Sequence, residues 1–372
     1  MANEDKSARY HRLHRRATSL GAGVTALFFG LLILSGAGGA LRDAVLRLTG
    51  ASFFPSVVVY VCSLAIAHEL LLAPLAYYRG VTLERRYGLS TEDGRHWWFD
   101  HLKAGSIVLA FGVVAALIVA GLLAALPEWW WVAAAAVFAV LLVVVAQLAP
   151  VLLLPLFHTI EPLAREDLVR RLVSLAERAR TPVVGVFEWR LSERTKKANA
   201  ALTGIGGTRR ILVSDTLLAE HTDDEIEVVL AHELAHHVHG DIWWSIAVES
   251  ALLVAGFYVA DRVLSALVVP LGLAGKGDLV ALPLLALTVG AVSLALRPLS
   301  HGLSRAHERR ADRYALTLTR NAPAFISAMR RLGQRNLAEE RPSRLAELLF
   351  YSHPPLAQRI AEARNFEVRS EK

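Results

Sequence analysis

Cysteine and charge are both scarce in this chain of 372 residues. The single cysteine, Cys62, excludes an intrachain disulfide framework and a zinc site built on cysteines. Charged residues make up only 20% of the chain and hydrophobic residues 54%, which is too apolar for a typical soluble enzyme. The net charge of +6 does not indicate nucleic-acid binding, because the basic residues flank apolar runs instead of gathering on one soluble face. We therefore expect a protein whose partner is the lipid bilayer and that binds no nucleic acid.

Six apolar segments are each long enough to cross a bilayer as a helix, which takes about 20 residues. We predict spans near 17–41, 53–78, 104–126, 129–157, 242–268 and 279–300. The first exceeds the apolar core of a normal signal peptide, so we expect a retained anchor. Residues 1–157 then form an N-terminal membrane domain with four transmembrane helices, and a hairpin at about 242–300 interrupts a second domain, 158–372. His68 and Glu69 fall inside the second span, and the sequence leaves open whether they are functional or are polar contacts within the bundle.

The basic residues also predict which way the chain crosses the membrane. Lysine and arginine are concentrated before the first span and in loop 79–103, whereas the turn Leu126-Pro127-Glu128 has none. Because positively charged short loops stay in the cytoplasm, the N-terminus, segment 158–241 and the C-terminus are all predicted to be cytoplasmic.

Segment 158–241 is polar and mixed in pattern. Helical spacing over 162–180 is followed by two β-rich stretches at 183–189 and 211–213, which predict a small sheet. Thr222 and Glu225 then form a capping-box signature that opens another helix, and Gly240 is its expected end. The predicted fold class is mainly α: a polytopic membrane protein of about six transmembrane helices with a domain that carries a small β-sheet.

The most informative motif is His232-Glu233-Leu234-Ala235-His236, on the helix that Thr222 opens. Two histidines four residues apart lie one turn apart on one helical face, so both imidazoles can reach one zinc ion. Glu233 can hold a water on that metal and act as the general base, which predicts a zinc-dependent peptidase. The alternative is a polar helix face rich in histidine, since His237 and His239 also occur here.

A catalytic zinc needs a third protein ligand and an open position for water. His239 is two turns from His232 on the same helix, and three ligands along one straight helix fit a tetrahedral ion poorly. Glu308 is the better candidate, because the transmembrane hairpin can return its helix beside the first. Asp312 is four residues further on and could accept the second N–H of a ligand imidazole. The alternative for Glu308 is a surface charge among arginines.

Several further motifs occur in an order that resembles the integral-membrane zinc metalloproteases, the family that includes the type I CAAX prenyl protease. The resemblance covers roughly residues 79–360 and rests on the motifs Glu84-Arg85-Arg86-Tyr87-Gly88-Leu89-Ser90, Leu154-Pro155-Leu156-Phe157, Asn199-Ala200, residues 210–218, the His232–His236 helix, Glu308 with Ala311-Asp312, and Ser352-His353-Pro354. Each motif alone is weak, and their order is specific.

The resemblance implies roles for individual residues. Glu308 matches the third zinc ligand, so the implied cofactor is one Zn²⁺ per chain. Asn199 matches a strand that pairs with extended substrate. His353 and Arg359 match residues near the scissile peptide that bind its backbone and help stabilise the oxyanion. Without the resemblance, Asn199 reads as a turn residue and His353 as a helix cap before proline. The implied fold is a zincin-like metallopeptidase domain below helices that enclose an intramembrane chamber.

The chain departs from the eukaryotic pattern, because two spans instead of three precede the Tyr87-Gly88 loop. The predicted function is a membrane-embedded zinc metalloendopeptidase of the type I CAAX prenyl protease kind, acting on prenylated or other membrane-associated polypeptides. A quality-control protease for misfolded membrane proteins is an alternative with the same mechanism. A transporter with a structural zinc site, which would usually be closed by four protein ligands, and a scaffold that retained the motif are the alternatives outside enzymes.

Overall fold

The computed structural model describes residues 5–204 and 206–370 of the chain. Within these residues, six helices are long and apolar enough to cross a membrane, which confirms the predicted number of spans. They comprise α1 (Lys6–Leu34), α3 (Phe53–Tyr77) continued through the π-helical turn Tyr78–Leu83 into α4 (Glu84–Tyr87), α5 (Gly94–Ala125), α6 (Trp130–Leu152), α11 (Asp241–Leu267) and α12 (Ala281–Thr319).

The first span differs from the predicted 17–41. The helix α1 begins eleven residues earlier, at Lys6, and ends at Leu34, because Gly36 takes a left-handed φ of 78° and breaks the helix. A separate helix, α2 (Ala37–Thr49), follows before α3. Hydropathy misses the start of α1 because its first turns are charged and pack against protein instead of lipid. The fourth span also ends earlier than predicted, at Leu152, and the short helix α7 (Leu154–Phe157) follows it.

The remaining elements form the part of the protein outside the spans. Its helices are α8 (Glu166–Arg178), α9 (Asp215–Glu220), α10 (Asp223–Val238), α13 (Ala322–Arg335), α14 (Arg344–Phe350) and α15 (Leu356–Ser370). Its strands are β1 (Ile160–Pro162), β2 (Val186–Trp189), β3 (Ala200–Thr203) and β4 (Arg210–Ser214), with a 3₁₀ turn at Gly206–Thr208 between the last two. The domain boundary predicted at 157–158 falls between α7 and β1, and the division into two domains stays a prediction.

The predicted small sheet is confirmed and has four strands in the order β1-β2-β4-β3. The two predicted strands are β2 and β4, which pair in parallel, while β1 and β3 add antiparallel strands at the two edges. The sequence pattern did not reveal β1, which is three residues long and ends in Pro162. Proline is tolerated there because an edge strand can leave one side of its backbone unpaired.

Helix α10 lies at the centre of the core outside the membrane. Its buried residues Ile226, Leu230 and Leu234 join a cluster that also contains Leu172 of α8 and Phe325 of α13. Packing on both sides fixes the direction in which the polar face of α10 points. The helix that carries His232 and His236 is therefore held by its own apolar residues.

The N-terminal end of α1 and loop 79–103 lie at the same end of the bundle as this core. His11 Nε2 is 2.8 Å from the Leu337 carbonyl oxygen, and Arg15 Nη1 is 2.6 Å from Glu339 Oε2. In loop 79–103, Ser90 forms a β-bridge with Thr195. These contacts are consistent with four crossings between the N-terminus and segment 158–241, and they place both on one side of the membrane.

Candidate metal centre

The two histidines of the motif are presented by a well-capped helix. The Thr222 side chain accepts from the Glu225 backbone N–H, and the Glu225 side chain accepts from the Thr222 N–H, so the predicted capping box is confirmed. Because this cap fixes the start of α10, the two histidines ten and fourteen residues later have a defined orientation. Their rings lie 5.0 Å apart, edge to face.

The long helix α12 brings Glu308 to these histidines after the transmembrane hairpin. Glu308 Oε2 is 3.3 Å from His232 Nε2, and Glu308 Oε1 is 3.4 Å from His236 Nε2. Ligand atoms of all three residues lie within 4.8 Å of one another. Two ligands about 2.0–2.1 Å from one zinc ion at the tetrahedral angle lie roughly 3.3 Å apart. The distances from Glu308 to the two histidines therefore match the spacing of ligands around a tetrahedral zinc ion.

The other ring nitrogen of each histidine is held by a carboxylate. His232 Nδ1 is 2.9 Å from Asp312 Oδ1, and His236 Nδ1 is 2.8 Å from Asp241 Oδ2. With Nδ1–H donating to a carboxylate, Nε2 is the nitrogen that faces Glu308 and is left to bind a metal. Both imidazoles are thus set in the tautomer that a metal ligand needs, and the donor set suits zinc.

Asp241 was not found by sequence reasoning. It lies five residues after His236, beyond the left-handed Gly240 that separates α10 from α11, and it is the first residue of α11. It is 5% exposed and also accepts from the Arg310 guanidinium. Helical periodicity could not place it beside His236, because the left-handed Gly240 breaks the helix between the two residues.

Burial and charge act against each other at these residues. Burial alone would lower the pKa of His232, but hydrogen bonds to Asp312 and Glu308 outweigh it and raise the pKa to about 9. Burial likewise opposes protonation of His236, and the bond to Glu308 leaves its pKa above the ordinary value. Burial also raises the pKa of Glu233, although the two neighbouring histidines counteract that effect. Glu233 is the one carboxylate on the histidine-bearing part of α10.

A cavity of about 400 Å³ opens beside this cluster, and every residue predicted from the resemblance lines it. Asn199, His353 and Arg359 share its wall with His232, Glu233 and Glu308. His353 Nδ1 is 2.7 Å from Glu308 Oε2, with a side chain that is 63% exposed. The Arg359 guanidinium also binds Asp312 through two nitrogens, at 2.8 and 2.6 Å, and its role toward substrate stays a prediction.

Asn199 precedes the edge strand β3, and it is fixed by two bonds to Ser214 of β4: its N–H donates to Oγ at 2.9 Å, and its carbonyl accepts from the backbone N–H at 3.0 Å. The strand β3 has one neighbour in the sheet, β4, so its other side can pair with an added strand. Asn199, at the start of this edge, lines the same cavity as Glu308.

Other histidines considered from the sequence lie elsewhere. His239 caps the end of α10, and its ring meets Tyr314 edge-on at 5.4 Å. His68 Nε2 is 3.0 Å from Thr25 Oγ1, and Glu69 Oε1 is 2.7 Å from His101 Nε2. The pair inside the second span is thus engaged in contacts within the bundle, far along the chain from His232, His236 and Glu308.

Two family models match the chain. One describes peptidase family M48 and matches residues 162–367. The other describes the N-terminal part of CAAX prenyl proteases, with five membrane helices, and matches residues 2–159. Together they cover nearly the whole chain, and the resemblance inferred from the motifs is confirmed.

Curated relatives and a solved structure agree with these matches. An uncharacterized metalloprotease of Bacillus subtilis, YhfN, is 29% identical over 345 residues, which cover 92% of this chain and 80% of the relative. A CAAX prenyl protease 1 homolog of Arabidopsis thaliana is 30% identical over 298 residues, covering 77% of this chain and 68% of the relative. The crystal structure of S. mikatae Ste24p matches with a TM-score of 0.84 at 22% identity, covering 96% of this chain and 89% of that one, which shows a shared fold.

Proposed function

The chain belongs to peptidase family M48 as a membrane-embedded metalloprotease related to the CAAX prenyl proteases, and we propose that it is a zinc endopeptidase acting on lipidated or other membrane-associated polypeptides. The observation that carries this proposal is the approach of Glu308 to both histidines of α10, at 3.3 and 3.4 Å. A structural zinc site would usually be closed by a fourth protein ligand. Here the three candidate ligands border a cavity, lined by Glu233 and His353, that leaves room for a water.

His232, His236 and Glu308 would hold the zinc ion. Asp312 orients the His232 ring, and Asp241 orients the His236 ring. When bound, zinc supplies Lewis-acid activation of water at neutral pH. A tautomer fixed by a carboxylate also makes each imidazole a stronger ligand. These five side chains form the proposed metal centre, with one zinc ion per chain.

Glu233 is the proposed general base. Its carboxylate takes a proton from the attacking water and delivers it to the nitrogen of the leaving amine, so the residue ends the reaction unchanged. Burial favours this exchange, because it raises the pKa of the Glu233 carboxylate toward neutral pH. His353 lines the same cavity and is proposed to stabilise the negative charge that develops on the carbonyl oxygen.

The substrate is proposed to add a strand to β3. Pairing with an edge strand holds the peptide by its backbone and leaves its side chains to alternate between two faces. Asn199 at the start of β3 and Arg359 in the cavity wall would fix the peptide near the scissile bond. Backbone pairing alone would accept many sequences, so specificity must come from the cavity and from access through the membrane.

Substitution of Glu233 by glutamine tests the mechanism. The amide cannot accept the proton, so we expect zinc content to stay at one ion per chain while peptide cleavage falls by at least about a hundredfold. Zinc would be counted by elemental analysis of purified protein, and cleavage measured on a farnesylated peptide whose cysteine is followed by three residues. Full activity of Glu233→Gln would remove this residue from the mechanism.

The same peptide without its farnesyl group tests the substrate class. A lower KM for the farnesylated form would support action on lipidated substrates. Equal cleavage of both forms would count against prenyl specificity and favour the second candidate, a protease for misfolded membrane proteins. Absence of zinc-dependent cleavage of either form would contradict the proposed function.

A further inference from the structure

The free edge of β3 is the surface to which the substrate is proposed to add its strand. In an extended strand, the backbone groups of successive residues point to opposite sides. The N–H and the C=O of Asn199 face β4, because both bond Ser214. The backbone groups of Ala198, Ala200 and Leu202 therefore face the free edge.

The start of this edge is already occupied by the side chain of Asn336. The Ala198 N–H donates to Asn336 Oδ1 at 3.0 Å, and Asn336 Nδ2 donates to the Ala198 carbonyl oxygen at 3.2 Å. An asparagine amide carries both a donor and an acceptor, as a peptide group does, so it binds Ala198 as a neighbouring strand would. Asn336 lies at the end of α13, where its own N–H donates to the Leu332 carbonyl oxygen at 2.9 Å and fixes its position.

The far end of the edge is partly occupied as well, since His237 Nε2 lies 3.1 Å from the Leu202 carbonyl oxygen. Between these two contacts, no side chain of the residues that the structure describes binds the N–H or the C=O of Ala200. Ala200 lines the same cavity as Asn336 and Glu308. The edge therefore offers a substrate one residue, Ala200, whose two backbone groups are both free.

We propose that Asn336 ends the substrate-binding edge of β3, so that a substrate pairs its backbone with Ala200 and leaves the sheet at Ala198. The inference rests on the proposed function, in which a peptide adds a strand to β3. If a substrate displaced Asn336, two hydrogen bonds would be exchanged for two of the same kind and the amide would lose its partners, so displacement brings no net gain. Asn336 is a positioning residue that shortens the extended stretch which a substrate must supply.

The experiment maps which backbone N–H groups of a substrate are bound. A farnesylated peptide is made as a series in which one N–H at a time, away from the scissile bond, is replaced by N–CH₃. KM is measured for each peptide with the full chain in lipid nanodiscs. Loss of a bound N–H should raise KM roughly fivefold to a hundredfold, whereas methylation of an unbound N–H should change it little.

The variant Asn336→Ala should gain one sensitive position in this series. We expect it two residues from a position that is already sensitive in the wild type, because backbone groups on one side of a strand recur at every second residue. The new position is the one whose N–H reaches the carbonyl oxygen of Ala198. Asn336→Ser, with a side chain too short to bind both groups of Ala198, should show the same gain and replaces the alanine variant if that variant does not fold.

Gln334→Ala is the matched control, since it removes an exposed amide two residues earlier on α13 and leaves Asn336 in place. It should keep the wild-type set of sensitive positions. The same set in the Asn336 variants would overturn the inference and leave the peptidase function intact. A uniform rise in KM with an unchanged set would also overturn it, and would show that Asn336 only stabilises the segment before β3. If the wild type does not cleave the unmethylated peptide, the proposed function fails and the inference fails with it.

Discussion

At the scale of single residues, the metal centre depends on which nitrogen of each histidine is free. A histidine ring can carry its proton on either nitrogen, and only the unprotonated one can bind a metal. Asp312 and Asp241 settle this for His232 and His236, since each accepts from Nδ1. The two carboxylates come from different helices, so the metal centre joins α10, α11 and α12 through five side chains.

Asp241 is therefore expected to control zinc affinity without touching the metal. Asp241→Ala should weaken zinc binding roughly tenfold to a hundredfold, because His236 loses the partner that fixes its tautomer. The zinc affinity of Asp241→Asn should lie between those of the wild type and Asp241→Ala, since the amide oxygen can still accept from Nδ1 of His236. Competition with a chelator on purified protein measures the affinity.

A matched control for this substitution is Asp224→Ala, which removes an acidic residue from the first turn of α10 that pairs with Arg171. Its zinc affinity should equal that of the wild type. If Asp241→Ala also kept the wild-type affinity, the histidine would hold its orientation by packing alone, and the carboxylate would have no role at the metal.

Sequence reasoning reached the site unevenly for physical reasons. His232, Glu233 and His236 are local in sequence, and the periodicity of one capped helix places them together. Predicting Glu308 as a ligand required only that the transmembrane hairpin bring its helix back beside α10. Two apolar runs of matching length indicate such a hairpin. Asp241 could not be predicted, because a left-handed glycine separates it from α10 and its contact depends on the angle between two helices.

At the scale of elements, the segment that carries His353 is held from both sides. The Tyr351 hydroxyl bonds Glu339 and accepts from Arg15 Nη1 at 2.7 Å, so the first membrane helix reaches this segment. Arg305 of α12 donates to the Tyr351 carbonyl at 2.7 Å and is only 9% exposed. Two residues later the chain presents His353 to the cavity, so its position depends on helices from both halves of the sequence.

Removing the contact from α1 should weaken catalysis without removing the metal. In Arg15→Met the Tyr351 side chain loses a charged donor, and small displacements of groups near a reacting bond are costly. We expect kcat to fall by roughly tenfold with KM and zinc content little changed. Steady-state kinetics on the farnesylated peptide measure the first two quantities.

A double-mutant cycle separates this effect from general loss of stability. Tyr351→Phe removes the same hydroxyl contact, so the effects of Arg15→Met and Tyr351→Phe should be strongly non-additive. Simple addition of the two losses would show that the residues act independently and that α1 does not position the His353 segment.

The elements outside the membrane were predicted where periodicity is strong and missed where pairing is nonlocal. The spacing of Leu168, Leu172 and Leu175 identifies α8, although the helix begins at Glu166 instead of 162. The strand β1 has three residues and no alternation of its own, so only its pairing with β2 defines it. The charged start of α1 was missed for a similar reason, since contacts with Glu339 and Leu337 replace contact with lipid.

At the scale of the whole molecule, the metal centre lies at the end of the bundle that carries most of the basic charge. Six crossings return the chain to this end, and the contacts of α1 with the His353 segment require that the N-terminus and the metal centre share a side. The opposite end is formed by α2, the turn at 126–129 and the connector at 268–280. The helix α12, about 58 Å long at 1.5 Å per residue, joins the two ends.

Cysteine labelling can decide which end faces the cytoplasm, because Cys62 is the only native thiol. In a Cys62→Ser background, Gly277→Cys adds an exposed thiol in the connector, and Glu193→Cys adds one between β2 and β3, at the end of the bundle that carries segment 158–241. Since basic loops are retained in the cytoplasm, a membrane-impermeant maleimide should label Gly277→Cys in intact cells and Glu193→Cys only after lysis. The reverse pattern would put the metal centre outside the cell and would exclude proteolysis of substrates that are lipidated in the cytoplasm.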